Sequence, residues 1–163
     1  MKGNKGITLI ALVVTIIVLL ILAAVAIAML TGDNSILKRA QSTQAYTAIG
    51  AAKDEVNLAY NAAFADYLKA KYEASNAVDP STVKFSTFLN KRIGEARTNT
   101  TNRDTSAGKT TITPATIDDS TAEIKITFKD AQSTKEYTTK AQLTTTVNSE
   151  RLGAWSAVTD QDV

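Results

Sequence analysis

The chain has 163 residues with 18 basic and 16 acidic side chains, and it contains neither cysteine nor histidine. Nearly balanced charge argues against recognition of nucleic acid or acidic lipid by bulk charge. The missing residue types exclude disulfides, thiolate nucleophiles, zinc sites built on imidazole, and nucleophile–histidine pairs. The length allows one domain with a single modest core beside any membrane-spanning segment.

Residues 7–30 form an apolar run without one charge, in which only Thr8 and Thr15 are polar. As a helix this run is about 36 Å long, enough to cross a hydrocarbon core of about 30 Å with some tilt. A secretory h-region is usually about 7–15 residues, although Ala24–Ala28 offers small-x-small cleavage sites. The run therefore predicts a signal peptide, a membrane anchor or an assembling helix, with the working domain on its C-terminal side.

The apolar run follows directly after Lys5-Gly6. The stretch KGITLIALVVTIIVLLILAAVAIA, residues 5–28, resembles the N-terminus of type IV pilins and type II secretion pseudopilins. In that family, prepilin peptidase removes a short basic leader that ends in glycine. The new first residue is then N-methylated, and the apolar helix becomes the core of a filament. The resemblance covers the first 30 residues, and the rest of the chain resembles no family that we can name.

The resemblance implies a leader over residues 1–6 that carries Lys2 and Lys5, and cleavage between Gly6 and Ile7 with N-methylation of Ile7. It also implies partners: identical or related pilins, prepilin peptidase, and the pilus assembly machinery of the inner membrane. The residues expected to pack in the filament are Ile7, Leu9, Ala11, Leu12, Ile16, Leu20, Ala24 and Leu58.

Two positions depart from the family pattern. Pilins usually carry glutamate where this chain has Ala11. Pilin-like proteins of clostridial-type Gram-positive bacteria also lack this glutamate. Pilins also often carry proline where this chain has Ala28, so a continuous helix from Ile7 to about Leu30 is expected. Ala11 marks either a minor pilin at the filament tip or a lineage that assembles by apolar packing alone. We favour apolar packing.

The segment 31–35, Thr-Gly-Asp-Asn-Ser, is predicted to interrupt the helix, with Gly32 near a C-cap and the next three residues as candidate N-caps. A second helix is predicted from about Ser35 to Glu73. One face of it is apolar; its residues are Ile49, Ala52, Val56, Tyr60, Ala63, Phe64 and Tyr67. The opposite face is not wholly polar, because Ala51, Leu58, Ala62 and Ala65 lie there, which is typical of a stem that contacts neighbouring stems.

Asp79-Pro80 predicts the start of a third helix that ends near Gly94 to Arg97, and residues 98–111 are predicted to form an exposed loop. Val83, Phe88, Leu89 and Ile93 are expected to pack inward from that helix.

Strand patterns follow in the C-terminal part of the chain. The stretch TAEIKITFKD, residues 121–130, alternates as a half-buried strand with Ala122 on the buried side. Residues 130–134 are predicted to turn and 135–147 to return as the partner strand. Weaker strands are expected over Thr110 to Ile117 and Ala154 to Val158.

Few residues suggest chemistry. Asp118-Asp119 and Asp160-Gln161-Asp162 offer oxygens for calcium, or are simply solvated turns. Trp155 either anchors a ligand or closes the core. The aromatic series on the second helix suits core packing better than an electron path; its members are Tyr46, Tyr60, Phe64, Tyr67 and Tyr72. We expect no catalytic residue, metal or cofactor.

The predicted fold is α+β, with a long N-terminal helical stem, one half apolar and one half amphipathic, packed on a small antiparallel β-sheet head. The predicted divisions are a leader over 1–6, an apolar transmembrane or filament-core helix over 7–31, and a head over 32–163 that includes the second half of the stem. The predicted function is a filament subunit held in the cytoplasmic membrane as a precursor and then extracellular. The alternative is a membrane-anchored or secreted binding module.

Overall fold

A computed structural model of the chain describes residues 5–32, 36–77, 82–144 and 152–162. These residues form three helices followed by four strands, which confirms the predicted α+β class. The helices are α1 (Lys5–Thr31), α2 (Ile36–Ala77) and α3 (Phe85–Arg103); the strands are β1 (Gly108–Thr113), β2 (Glu123–Asp130), β3 (Lys135–Gln142) and β4 (Thr159–Asp162). The chain divides into two compact units, Met1–Thr43 and Gln44–Val163, so the boundary lies within α2.

Helix α1 is continuous across the apolar run, as the absence of proline predicts. Two of its threonines bond to its own backbone: the Thr15 hydroxyl donates to Ala11 O at 2.5 Å, and the Thr31 hydroxyl donates to Ile27 O at 2.8 Å. After the helix, Gly32 N donates to a carbonyl of the last turn. The candidate N-caps at 33–35 lie outside the described residues.

The predicted apolar face of α2 is confirmed. Six of its seven residues are buried, and Phe64 is half-buried against the same core. The six are Ile49, Ala52, Val56, Tyr60, Ala63 and Tyr67. They share one core with the inward side chains of α3 and of the sheet, so the second half of α2 packs within the Gln44–Val163 unit.

Helix α3 corrects two predictions. The proposed start at Asp79-Pro80 lies outside the described residues, and the described helix begins at Phe85 and runs to Arg103, beyond the expected end. Residues 98–103 are therefore helical rather than an exposed loop. The cause is tertiary: Glu55 on α2 accepts hydrogen bonds from Asn99 at 3.3 Å and from Arg103 at 2.8 Å, which outweighs the weak helix propensity of this segment.

The inward residues of α3 agree better with the sequence. Leu89 and Ile93 are buried, while Val83, just before the helix, and Phe88 are partly buried against the core. The threonines that suggested a loop fit the helix because Thr98 and Thr101 donate their hydroxyls to the carbonyls four residues earlier.

The strands form one antiparallel sheet in the order β1-β2-β3-β4. Strands β2 and β3 confirm the predicted hairpin, although Ala122 precedes β2 and is exposed. Strand β1 begins at Gly108, inside the predicted loop, and ends before Pro114, whose missing N–H ends a ladder.

The last strand was placed wrongly. Residues 154–158 are not a strand, and β4 is Thr159–Asp162 instead. The preceding segment runs beside β3 and is joined to it by isolated backbone hydrogen bonds. Gly153 N donates to Gln142 O at 2.8 Å, and Ser156 N donates to Lys140 O at 2.8 Å. A strand is predicted here because the segment carries apolar side chains. In the structure these side chains cover the edge of the core, and the segment forms no strand ladder.

Gly108→Ala is expected to lower the free energy of unfolding by about 1–3 kcal/mol through overpacking. A Cβ at this buried glycine would overlap Phe128 Cζ and would lie 2.7 Å from Lys129 O, and the carbonyl cannot move without disturbing β2. The measurement is urea unfolding of the purified full-length chain in non-ionic detergent. Gly94→Ala is the matched control, because a Cβ there meets nothing within 4 Å on a helix. Equal stability of the two variants would contradict the packing argument.

Candidate functional site

The surface of α1 is the most unusual feature of the chain. Its large apolar side chains are 46% to 68% exposed, and within the described residues it supplies the apolar helix long enough to cross a membrane. The α1 residues that the sequence predicted for packing lie on this exposed surface; they are Ile7, Leu9, Ala11, Leu12, Ile16, Leu20 and Ala24. Apolar area on this scale requires lipid or protein around it.

Gly6 lies in the first turn of α1, directly before Ile7. A Cβ added to Gly6 would meet nothing within 4 Å, and its backbone does not adopt the positive φ that favours glycine. Neither packing nor backbone conformation therefore demands glycine at this position.

The outward face of α2 carries a second apolar surface. Leu58 is 67% exposed, as predicted, and Ala51, Ala62 and Ala65 lie on the same side, half-buried or exposed. Tyr72 continues this row and is 74% exposed. The seven-residue spacing of positions 51, 58, 65 and 72 is the sequence signal that could have added Tyr72 to this face, because residues seven apart share one side of a helix.

The acidic turns form local contacts. Asp119 accepts hydrogen bonds from Ser86 at 2.5 Å and from Lys84 at 2.9 Å, and these bonds lower its pKa. Asp118 accepts from the hydroxyl and N–H of Ser120, which lowers its pKa as well. Asp160 accepts from Lys135 at 3.0 Å, with the same effect.

These contacts bear on the calcium hypothesis. Over the parts of the chain that the structure describes, no three acidic side chains come together in a way that would hold a metal ion. Asp119 and Asp160 are each committed to a lysine, and Asp118 to its own turn. For Asp118, Asp119 and Asp160 the arrangement corresponds to the alternative in which they belong to turns and surface ion pairs, whereas the side chain of Asp162 lies outside the described part of the chain.

Asp119→Asn is expected to destabilise the head at pH 7 and to have less effect in acid. Because the folded pKa of Asp119 lies below its ordinary value of 3.8, its stabilising contribution is present above that value. That contribution is lost as the pH falls through the lower, folded pKa. The measurement is the urea midpoint of wild type and variant from pH 7 to pH 2.5, with Asp54→Asn, an exposed carboxylate on α2, as control. A wild-type advantage that stays constant into acid would contradict the assignment.

Trp155 closes one edge of the core. Its indole Nε1 donates to Asn57 Oδ1 at 3.1 Å, and Lys53 Nζ lies 5.9 Å from the ring centroid. The ring is half-buried against the core cluster, so of the two roles considered for it the structure supports packing.

Three of the five aromatic side chains predicted on α2 pack in the core, whereas Tyr46 and Tyr72 are exposed. Phe85 at the start of α3 makes edge-to-face contacts with Tyr60, Phe64 and Tyr67. The distances from the Phe85 ring centroid to theirs are 5.5, 6.2 and 5.6 Å. Such geometry is the favourable one for aromatic pairs and accounts for their spacing on the helix.

A cleft of about 380 Å³ opens between α2, α3 and the start of the sheet. Arg103 and Asp104 line it, with Asp104 Oδ1 accepting from Thr110 N at 2.8 Å. Within the described residues, Thr100 Oγ1 and Asp104 Oδ2 are shielded from solvent and have no hydrogen-bond partner. Sequence reasoning missed this cleft because it assigned residues 98–111 to a loop, whereas the cleft requires the helix and strand found there.

Comparison of the chain with known protein families, with curated proteins and with solved structures gives no match.

Proposed function

We propose that this chain is a structural subunit of a type IV pilus or pilus-like surface filament. The precursor is held in the cytoplasmic membrane by α1, cleaved after Gly6 by a prepilin peptidase, and assembled outside by packing of stem helices. Its partners are then identical or related pilins and the assembly machinery of the membrane, and its role is structural rather than catalytic.

The observation that carries the proposal is the combination of an uncharged, exposed helix with a glycine that the fold does not require. Residues 7–31 of α1 carry no charge, and the Thr15 hydroxyl donates to the backbone of the same helix. The segment therefore suits both a bilayer and a bundle of like helices. Gly6 lies directly before this segment, and a Cβ added there would meet no described atom within 4 Å. The exposed apolar face around Leu58 on α2 supports contact between stems beyond α1.

A membrane-anchored or secreted binding module is the second candidate. The cleft of about 380 Å³ beside Arg103 and Asp104 favours it, because small-molecule sites are concave and combine an apolar lining with a few polar groups. In that case α1 serves only as an anchor or a signal.

N-terminal sequencing of the mature protein from cells separates the two candidates. A chain that begins at N-methylated Ile7 supports the filament subunit. A chain that begins near Met29 corresponds to secretion after signal-peptide removal, and a chain that keeps Met1 corresponds to a permanent anchor. Either of these last two results contradicts the filament proposal.

Ala11→Glu is expected to reduce the amount of membrane-held precursor or to leave filament yield unchanged when this chain is the sole pilin. A buried acid costs up to about 2.5–3.5 kcal/mol at the middle of a bilayer, and less towards its surface. Within residues 5–32, the only charged side chain is Lys5, which lies before the cleavage site. The measurement is immunoblotting of membrane and sheared-filament fractions, with Ala11→Leu as the uncharged control.

A higher filament yield for the glutamate variant than for wild type would contradict assembly by apolar packing. Immunogold labelling of wild-type fibres decides whether the chain is a subunit of the shaft or a minor pilin at the tip. Label along the whole shaft is expected, whereas label confined to the ends would assign the chain to a tip position.

A further inference from the structure

The outer face of the sheet has an ordered pattern that neither the core nor the proposed assembly uses. Alternation along the strands turns apolar residues inward and leaves polar residues outward. The strand register places one threonine of each strand in a single row across the sheet, here called the threonine row: Thr111, Thr127, Thr138 and Thr159. Among described residues, the hydroxyl of Thr159 bonds to Thr138 O, and the other three hydroxyls make no bond within the chain.

Two pairs of lysines lie on either side of the threonine row. Lys109 is directly opposite Lys129, and Lys125 is directly opposite Lys140. Like charges facing each other across strands destabilise a sheet. Lys140 forms an ion pair with Glu123 at 3.3 Å, and Lys129 is also directly opposite Glu136 on β3; among described residues, Lys109 and Lys125 form no ion pair. These two acids offset part of the repulsion within the pairs, and a bound anion would offset the rest.

This excess of positive charge is local. The unit Gln44–Val163 contains 14 basic and 15 acidic side chains, so the head as a whole is slightly acidic. The outer face nevertheless gathers four lysines against two acids, Glu123 and Glu136. A negatively charged partner is consequently directed to this face rather than to the rest of the head.

The spacing indicates what kind of anion fits. Lys129 and Lys125 are four residues apart on β2, so the two lysine pairs lie about 13 Å from each other, with the threonine row between them. Cations at two separated places, with hydroxyls between, match a chain of sparse negative charges whose intervening groups form hydrogen bonds. We propose that the outer face of the sheet binds an acidic polysaccharide, with its carboxylates at the lysine pairs and its sugar hydroxyls along the threonine row.

A nucleic acid fits this face poorly. Duplex DNA carries a charge about every 1.7 Å of axis, so about seven or eight phosphates would fall between the lysine pairs and most would meet no cation. The outward residues of the four strands include no aromatic ring on which unpaired bases could stack. The inference holds for a filament subunit and for an anchored module alike, because it concerns the head alone.

The test measures binding of the full-length chain, in non-ionic detergent at about 50 mM salt, to immobilised hyaluronate, in which one sugar of every two carries a carboxylate. Wild type is expected to bind hyaluronate, to lose binding as salt rises, and not to bind uncharged dextran. Lys125→Gln/Lys129→Gln is expected to weaken binding about tenfold, since it removes two exposed ion contacts. The same variant is expected to unfold no earlier than wild type, because it relieves like-charge repulsion.

The matched control is Lys69→Gln/Lys91→Gln, which makes the same charge change at exposed positions on α2 and α3 and is expected to bind as wild type does. Thr127→Val is expected to weaken binding to hyaluronate but not to polyglutamate, which lacks sugar hydroxyls. Three results would overturn the inference: no binding of hyaluronate by wild type, equal loss in the control variant, or duplex DNA bound as tightly as hyaluronate.

Discussion

Phe85→Ala is expected to lower the free energy of unfolding of the head by about 3–5 kcal/mol. The ring is 1% exposed and lies where α2 and α3 meet, in edge-on contact with Tyr60, Phe64 and Tyr67. Its removal leaves a cavity that three large rings on one helix cannot fill without losing their own rotamers. Against a typical total of about 5–15 kcal/mol, this is a large fraction of the stability.

Urea unfolding followed by tryptophan fluorescence measures the effect, because Trp155 belongs to the same unit and its indole is bonded to Asn57 on α2. Leu58→Ala is the control, since a side chain that is 67% exposed is expected to change stability by no more than about 0.5 kcal/mol. A Phe85→Ala midpoint within error of the Leu58→Ala midpoint would show that the three rings do not form the centre of this core.

Gly6→Val is expected to abolish maturation while leaving the precursor folded and in the membrane. Among the described residues, no atom outside the helix's own turn lies within 4 Å of a Cβ at this position, so the described fold leaves room for the side chain. The proposed prepilin peptidase, in contrast, has to bind the extended peptide across Gly6 and Ile7. The cleaved fraction is therefore expected to fall from nearly complete to undetectable, and surface filaments to disappear with it.

Mass spectrometry of the membrane fraction measures that fraction, and electron microscopy counts the filaments. Gly50→Ala is the matched control, because Gly50 also lies on a helix with nothing within 4 Å of an added Cβ, but far from the proposed cleavage site. Normal cleavage of Gly6→Val would contradict processing at this glycine. Loss of precursor from the membrane in both variants would instead indicate a folding effect.

The proposals for α1 and for the sheet face are independent. The first proposal concerns how the chain is held and assembled, whereas the lysine pairs and the threonine row concern what the head binds. Residues 7–30 carry no charge, whereas the outer sheet face carries two like-charge pairs that two acids offset only in part. Either proposal can be contradicted by its own experiment without affecting the other proposal.

Elements with strong local periodicity were predictable from the amino-acid sequence. An uninterrupted apolar run without proline has one stable backbone form in a bilayer, so α1 followed directly from composition. The inward face of α2 and the β2–β3 hairpin followed in the same way, because spacing along a helix or a strand decides which residues share a side.

The remainder depended on contacts between residues distant in the chain. Residues 98–103 have weak helix propensity, and α3 includes them because Glu55, more than 40 positions earlier, binds Asn99 and Arg103. The cleft beside Asp104 and the final strand depend on such contacts too.

Register was likewise decided by the tertiary structure. The sequence alone shows threonines and lysines alternating with apolar residues, but only strand pairing sets Lys109 against Lys129 and aligns four threonines in one row. Because side chains alternate with a period of two, the buried residues opposite determine which register is stable, and the outward pattern follows from that choice.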